Sequence, residues 1–78
     1  MKKTYESEYR QLGLKIAYYR KYRGLTQEQL AERIDKSAAF IGHVEAPNIN
    51  KAISLDTLFD IATVLEIPVQ KFLLFEEE

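Results

Sequence analysis

Two short stretches in the middle of the chain place apolar residues at helical spacing and are separated by a few polar residues. Leu30, Ala31 and Ile34 share one face of the first stretch, and Ile41 and Val44 share one face of the second. This spacing predicts two short helices that meet across a tight turn. Because the side chain of Ala31 is small, the second helix can cross closely over the first.

Capping residues mark the positions where both of these helices begin. Thr26 has Gln29 three residues later and apolar residues on either side, so that a capping box and a hydrophobic staple coincide. Ser37 is the expected N-cap of the second helix. A helix pair of this kind, over residues 26–45, can hold its second helix out from the body of a domain so that the helix reaches into DNA.

Helical patterns also flank the central pair. An upstream helix, with Gly24 as its expected C-cap, is indicated by the apolar residues Tyr5, Tyr9, Leu12, Ile16 and Tyr19. Downstream, Ser54 is the expected N-cap of a fourth helix, and Pro68 suits the first position of a fifth. The apolar face expected for the fourth helix consists of Leu55, Leu58, Phe59, Ala62 and Leu65.

The stretch before the fourth helix is predicted to be an exposed loop, because it carries a proline and two asparagines that cannot continue a helix. Three of its polar residues are candidates to contact backbone phosphates or a groove edge of DNA: Asn48, Asn50 and Lys51. The alternative is that Ile49 and Ile53 hold the loop down on the domain.

Five helices and no strand pattern predict an all-α fold with short connections. The 78 residues are expected to form one compact five-helix domain over 1–78, with a helix-turn-helix core at 26–45 and a C-terminal tail at 74–78. A chain this short buries only roughly 60% of the surface that it exposes when unfolded, so its stability should be modest. Dimerisation would add to that stability.

The C-terminal part of the chain is a candidate dimer contact. Phe72, Leu73, Leu74 and Phe75 follow one another directly, which is more apolar surface than one face of a small domain can hide. The sequence therefore predicts that some of this surface meets a partner subunit. The alternative is a tail that folds over its own core.

Charge is sorted along the chain although the net charge is only −1. Residues 1–23 hold seven Lys or Arg against two Glu, which gives +5, and residues 54–78 hold one Lys against six Asp or Glu, which gives −5. A dipolar molecule of this kind can present its basic end to phosphates. The alternative interpretation is two solvated faces without a binding role.

Composition argues against several other function classes. The chain has no cysteine, no charged-then-apolar leader and no apolar run near the ~20 residues of a membrane span, so we expect a soluble cytoplasmic protein with no membrane partner. With one histidine and no glycine-rich phosphate loop, an enzyme is not expected. Without sulfur ligands or clustered carboxylates, neither a metal site nor a cofactor is expected.

The chain resembles the Cro and lambda-repressor type of helix-turn-helix protein, also called the XRE family, from Leu12 to Leu73. The resemblance rests on RGLTQEQLAERI at residues 23–34, on Ile41 with the Val44 and Glu45 pair, and on SLDTLFDIATVLEIP at residues 54–68. It implies a lambda-repressor-like fold and a sequence-specific DNA-binding transcriptional regulator that acts as a repressor. Such a regulator would bind double-stranded DNA as a homodimer, with the helix at 37–45 in the major groove.

The same resemblance implies roles for particular residues. Arg20 and Glu45 would form a buried ion pair that pins the first helix to the third. Thr26 and Gln27 would lie at the start of the second helix and receive a DNA phosphate. The positions that would face base edges are Ser37, Ala38, Ala39 and His43.

The third helix departs from the usual polar or basic set of the family. Ala38 and Ala39 can contact only thymine methyl groups, since bidentate base recognition needs Arg, Lys, Asn or Gln. His43 can contact a base edge or a phosphate, or remain a surface residue without a role. Gly42 suggests a close backbone approach, either to DNA or to the first helix. Asp35 stands where the family commonly has glycine, and it tolerates the left-handed conformation of the turn.

These departures support a second hypothesis from a different class. A scaffold that has lost base recognition can serve as a protein-interaction module, such as an antitoxin-like protein. Its alanine-faced third helix or its apolar tail would then bind a protein partner.

Overall fold

The computed structural model of the chain describes residues 4–49 and 51–76. Within these ranges the elements are α1 (Glu6–Tyr22), α2 (Gln27–Arg33), α3 (Ala38–Glu45), α4 (Leu55–Leu65) and a 3₁₀ segment (Val69–Phe72), and no strand occurs there. The predicted all-α fold is confirmed. No helix in the described part of the chain is both long and apolar enough to cross a membrane.

The fifth element differs from the prediction, because it is a single 3₁₀ turn rather than an α-helix. Pro68 precedes it in an extended conformation, and the amide N–H of Lys71 donates to the Pro68 carbonyl oxygen at 3.0 Å. The amide of Leu73 donates to the carbonyl of Gln70 at the same distance. Both hydrogen bonds span three residues, which is the 3₁₀ pattern.

The predicted starts of α2, α3 and α4 are confirmed by side-chain caps. The Thr26 hydroxyl accepts from the Gln29 amide at 3.0 Å, and the Gln29 side-chain oxygen accepts from the Thr26 amide at 2.8 Å. The Ser37 hydroxyl accepts from the Phe40 amide at 3.0 Å. At α4, the Ser54 hydroxyl accepts from the Thr57 amide at 3.1 Å. Each cap satisfies a backbone N–H that has no partner inside its own helix.

The turn between α2 and α3 depends on one residue in the left-handed conformation. Asp35 has φ +57°, as its side-chain chemistry allows, and the Lys36 amide then donates to the Ala31 carbonyl at 2.9 Å. Gly24 plays the same part after α1, with φ +73°. Two tight turns therefore fix the positions of α2 and α3 relative to α1.

The core lies where α1, α2, α3, α4 and the 3₁₀ segment meet. Its apolar residues are Leu12, Ile16, Leu30, Ala31, Ile34, Ile41, Val44, Leu58, Ile61, Ala62, Leu65 and Phe72. The predicted apolar face of α4 is wrong at Leu55 and Phe59, which are exposed, whereas Ile61 and Thr57 are buried. The helix carries more apolar residues than its buried stripe can hold, so two of them remain outside.

The predicted surface patch at residues 72–75 is wrong at Phe72. Its side chain is 0% exposed and packs edge-on against the Tyr19 ring, with ring centres 5.2 Å apart. The 3₁₀ turn rotates this residue inward. Leu73, Leu74 and Phe75 are exposed, as expected.

The tail beyond the 3₁₀ segment returns over α1. The side-chain amide of Gln11 donates to the Glu76 carbonyl oxygen at 2.9 Å, and the Gln11 side-chain oxygen accepts from the Glu76 amide at 2.8 Å. The tail is therefore partly folded over its own domain, while its apolar side chains remain accessible.

Gly13 sets the contact between α1 and α3. A Cβ atom at this position would overlap the Val44 carbonyl oxygen and would lie 3.2 Å from the Val44 carbonyl carbon. Gly42, which was expected to allow a close approach to the first helix or to DNA, makes no such approach to α1. A Cβ atom there would meet only the side-chain oxygen of Gln27 at 3.6 Å.

We expect Gly13→Ala to lower the free energy of unfolding by about 1 to 3 kcal/mol, because the added methyl group must push two backbones apart. Gly42→Ala is the matched control, since it adds the same group in a helix where room exists, and it should raise stability by up to about 1 kcal/mol. Urea unfolding followed by circular dichroism measures both values. Equal effects of the two substitutions would contradict the tight contact at Gly13.

Candidate nucleic-acid interface

Helix α3 has one face in the core and the other at the surface. Ile41, Val44 and Glu45 are buried against the domain, and Ser37 at the amino end is exposed. Among the predicted base-facing residues, Ala39 and His43 are also exposed, and Ala38 is half-buried. The structure therefore places the four positions predicted to face bases on one helix, at or near its accessible side.

A buried ion pair fixes the carboxyl end of α3 against α1. The Arg20 Nε donates to Glu45 Oε2 at 2.7 Å, and Nη2 donates to Oε1 at 2.8 Å, while Arg20 and Glu45 are 7% and 8% exposed. The third donor, Nη1, bonds the Leu25 carbonyl at 2.7 Å. The structure thus contains the ion pair that the family resemblance implies.

The charge on Arg20 is stabilised in the folded state. The hydrogen bonds that the guanidinium donates to the Glu45 carboxylate raise the pKa of Arg20, against the opposing effect of burial. Because the pKa is raised on folding, the charged guanidinium contributes its full stabilisation of the folded state at any pH below its unfolded-state pKa. This contribution is lost as the pH rises through the folded-state pKa. Because both values lie at strongly alkaline pH, Arg20 stays charged throughout the physiological range.

Gln27 links the start of α2 to the same ion pair. Its side-chain nitrogen donates to Glu45 Oε1 at 3.0 Å, and its side-chain oxygen lies beside Gly42. Thr26 precedes it at the surface, with its hydroxyl engaged in the capping box. Gln27 therefore lies next to the second half of α3 rather than next to its amino end.

The loop after α3 brings a basic group to the helix. Asn48, Ile49 and Lys51 are exposed, whereas Ile53 packs against the core, so that only one of the two isoleucines holds the loop down. The Lys51 ammonium lies 5.6 Å from the centre of the Phe40 ring. The predicted contact residue Asn50 lies outside the described residues.

Sequence reasoning missed Lys36 and Phe40 on this surface, and it predicted Lys51 there without its approach to the ring. The ammonium of Lys36, in the turn before α3, lies 5.5 Å from the centre of the same Phe40 ring. Lys36 lies before the N-cap of α3, so the rule for neighbours four residues apart on a helix surface does not cover this pair, and the sequence offered no specific signal for it. The approach of Lys51 depends on the path of the loop, for which the sequence offers no local signal.

No group of three or more His, Cys, Asp or Glu side chains that could hold a metal ion occurs in residues 4–49 and 51–76. What the candidate site offers instead is a helix with an accessible face, flanked by lysines and amides.

A family model described as helix-turn-helix matches residues 16–72, which is more than half of the chain. The chain belongs to the helix-turn-helix family of the Cro and lambda-repressor (XRE) type.

Solved structures of a controller protein and of a DNA-binding regulator share this fold. The restriction-modification controller protein C.AhdI from Aeromonas hydrophila is 25% identical, with a TM-score of 0.78 over 86% of this chain and 94% of that chain. The N-terminal DNA-binding domain of SinR from Bacillus subtilis is 26% identical, with a TM-score of 0.75 over 88% and 99%. SinR, the master regulator for biofilm formation, in complex with DNA is 27% identical, with a TM-score of 0.73 over 81% and 98%.

No curated protein sequence matches the chain. The family match and the solved structures together place the chain among DNA-binding regulators rather than enzymes.

Proposed function

We propose that the chain is a sequence-specific transcriptional repressor that binds double-stranded DNA as a homodimer, with α3 in the major groove. The observation that carries the proposal is that α3 has one buried face and one accessible face. Ile41 and Val44 anchor its inner face, and Ser37, Ala39 and His43 occupy its accessible face. The DNA complex of the similar protein SinR supports the same use of the fold. This function assigns the chain to the cytoplasm, where it needs no cofactor.

Recognition of bases by α3 rests on few groups. Ala38 and Ala39 offer methyl groups to thymine, Ser37 offers one hydroxyl, and His43 donates or accepts one hydrogen bond. Half or more of the hydrogen bonds in protein–DNA interfaces go to the sugar-phosphate backbone of the DNA, and these contacts set the register of the protein on the duplex. In this chain the backbone contacts are assigned to Thr26, Gln27, Asn48, Asn50 and Lys51.

The dimer contact is assigned to the exposed apolar residues of the tail. Leu73, Leu74 and Phe75 are accessible, and two of them line an apolar groove of about 310 Å³ together with Leu12 and Leu58. A second copy that packs on this surface buries apolar area on both chains, which adds stability to a domain of this size. Two α3 helices related by a two-fold axis read half-sites that lie about 10 to 10.5 bp apart.

A gel-shift titration with fragments of the source genome, at two salt concentrations, tests the function. We expect one or a few fragments to be retained above competitor DNA and their binding to weaken as salt rises, because phosphate contacts release counterions. Retention of no fragment above competitor at either salt concentration would refute sequence-specific binding.

The roles of two residues can be separated by their effects on different DNA sequences. We expect His43→Ala to change the preferred sequence, with a loss of about 1 to 3 kcal/mol at the base that it contacts and less elsewhere. Gln27→Ala should weaken binding to all sequences by a similar factor, because phosphate contacts carry no base information. Selection of bound sequences from a random duplex pool measures both. The reverse pattern would contradict the placement of these residues.

A second candidate function is a protein-interaction module. It is favoured by the apolar side chains that α3 presents at its amino end, Ala38 and Ala39, and by the exposed tail. This function predicts a stable stoichiometric protein complex on co-purification from the source and no DNA fragment retained above competitor. The gel-shift titration therefore separates the two candidates.

A further inference from the structure

Two ammonium groups, one from the chain before α3 and one from the chain after it, lie near one aromatic ring. Lys36 comes from the turn before the helix, Lys51 comes from the loop after it, and their nitrogens lie 5.5 Å and 5.6 Å from the centre of the Phe40 ring. Phe40 itself is half-buried and packs against the core, so the ring has a fixed position. Three separate segments of the chain therefore converge at the amino end of α3.

The two lysines have no anionic partner in the part of the chain that the structure describes. Neither ammonium forms a salt bridge there. Because each nitrogen lies within 5.6 Å of the same ring centre, the two charges are never farther apart than twice that distance. Two lysine charges near one ring and without a counter-charge raise the local positive potential, which favours the approach of anionic groups.

The aromatic ring can hold an ammonium group without using its hydrogen-bond donors. The face of a phenyl ring attracts a cation through the ring quadrupole, and the three N–H groups of lysine remain available to an acceptor oxygen. A lysine held in this way loses less side-chain freedom when it binds a phosphate. The ring thus places two phosphate-binding groups at the end of α3 that carries Ser37, Ala38 and Ala39.

We propose that Phe40 is a positioning residue that holds Lys36 and Lys51 as a pair of ligands for backbone phosphates of double-stranded DNA. This inference rests on the proposed DNA-binding function and adds a contact surface to it. Phosphate contacts by two lysines near the amino end help to set the position of α3 in the groove. They supply binding free energy at the end of the helix where the alanines supply little.

The first test measures the salt dependence of binding for lysine variants. The probe is a synthetic duplex that carries the source-genome fragment best retained by the unaltered chain. A plot of log Kobs against log salt concentration has a negative slope, and each lost phosphate contact makes that slope less steep by about 0.9. Lys36→Met and Lys51→Met should each show this decrease, while Lys71→Met, an exposed control in the 3₁₀ segment, should leave the slope unchanged.

The second test separates positioning by Phe40 from a purely structural role. Phe40→Leu keeps an apolar side chain against the core but removes the ring, and it should weaken binding about threefold. Phe40→Tyr keeps the ring and should bind like the unaltered chain. In a background that carries both Lys36→Met and Lys51→Met, Phe40→Leu should have no further effect. Urea unfolding of each variant verifies that it is folded at the assay temperature.

The outcomes distinguish this inference from the proposed function. If the unaltered chain binds its duplex and the Lys36 and Lys51 variants show the same salt dependence as the unaltered chain, the lysines are solvated surface charges. In that case this inference is wrong and the proposed function stands. If Phe40→Leu weakens binding equally in both backgrounds, the ring acts only in packing and its positioning role is wrong. If the unaltered chain retains no fragment, the proposed function and the inference fail together.

Discussion

Glu45→Ala is expected to lower the free energy of unfolding by about 3 to 5 kcal/mol, because it leaves the Arg20 guanidinium buried without a counterion. Arg20 is only 7% exposed and gives two of its three hydrogen-bonding nitrogens to Glu45. Gln27 loses its acceptor in the same variant. Since small domains are stable by only about 5 to 15 kcal/mol, this single change removes a large part of the total.

Two further variants make the test specific to the ion pair. Glu32→Ala removes an exposed carboxylate from α2 and should change stability by less than about 0.5 kcal/mol. The double variant Arg20→Met with Glu45→Met replaces the pair by apolar side chains, and it should be less destabilised than the sum of its single variants. Urea unfolding of Glu45→Ala, Glu32→Ala, the two single Met variants and the double variant gives the five values. A loss below about 1 kcal/mol for Glu45→Ala would show that Arg20 finds water or another acceptor.

Glu45→Ala should also change the geometry of the proposed DNA interface. Glu45 joins α1, the start of α2 and the end of α3, through Arg20 and Gln27. Loss of these bonds frees α3 to shift relative to α2, so that the groups assigned to bases and phosphates no longer keep one geometry. We therefore expect DNA binding of Glu45→Ala to fall even at temperatures where circular dichroism shows a folded chain.

Local signals in the sequence were sufficient for the helix starts. Thr26, Ser37 and Ser54 cap helices because each side chain reaches a backbone amide three residues later, and such a contact is written into a short stretch of sequence. The left-handed turn at Asp35 was expected from the family resemblance, together with the tolerance of Asp for this conformation. These elements were predicted correctly without any knowledge of tertiary packing.

Tertiary packing decided the features that sequence reasoning missed. The need for glycine at position 13 arises only where α1 meets the Val44 carbonyl, and the outward position of Phe59 arises because α4 has more apolar residues than its buried stripe accepts. The Arg20 and Glu45 pair joins residues 25 positions apart, and only the family resemblance pointed to it. The cluster of Lys36, Phe40 and Lys51 likewise depends on how the loop returns to α3.

Phe72→Ala is expected to lower the free energy of unfolding by about 3 to 5 kcal/mol, because it removes a large, fully buried side chain and leaves a cavity. Phe72 is 0% exposed and its ring packs on Tyr19, so the 3₁₀ segment is attached to α1 through this contact. Loss of the ring should release the tail that follows it. Urea unfolding measures the effect, at a protein concentration where sedimentation shows a monomer.

Leu74→Ala is the matched control, because this neighbouring side chain is 65% exposed in the same segment. It should change monomer stability by less than about 0.5 kcal/mol, as expected for a surface position. If the tail forms the dimer contact, Leu74→Ala should lower the association constant measured by sedimentation equilibrium. Phe72→Ala should lower that constant only because it unfolds the chain. An unchanged association constant for Leu74→Ala would remove the tail from the proposed interface, whereas a large loss of monomer stability would contradict its exposed position.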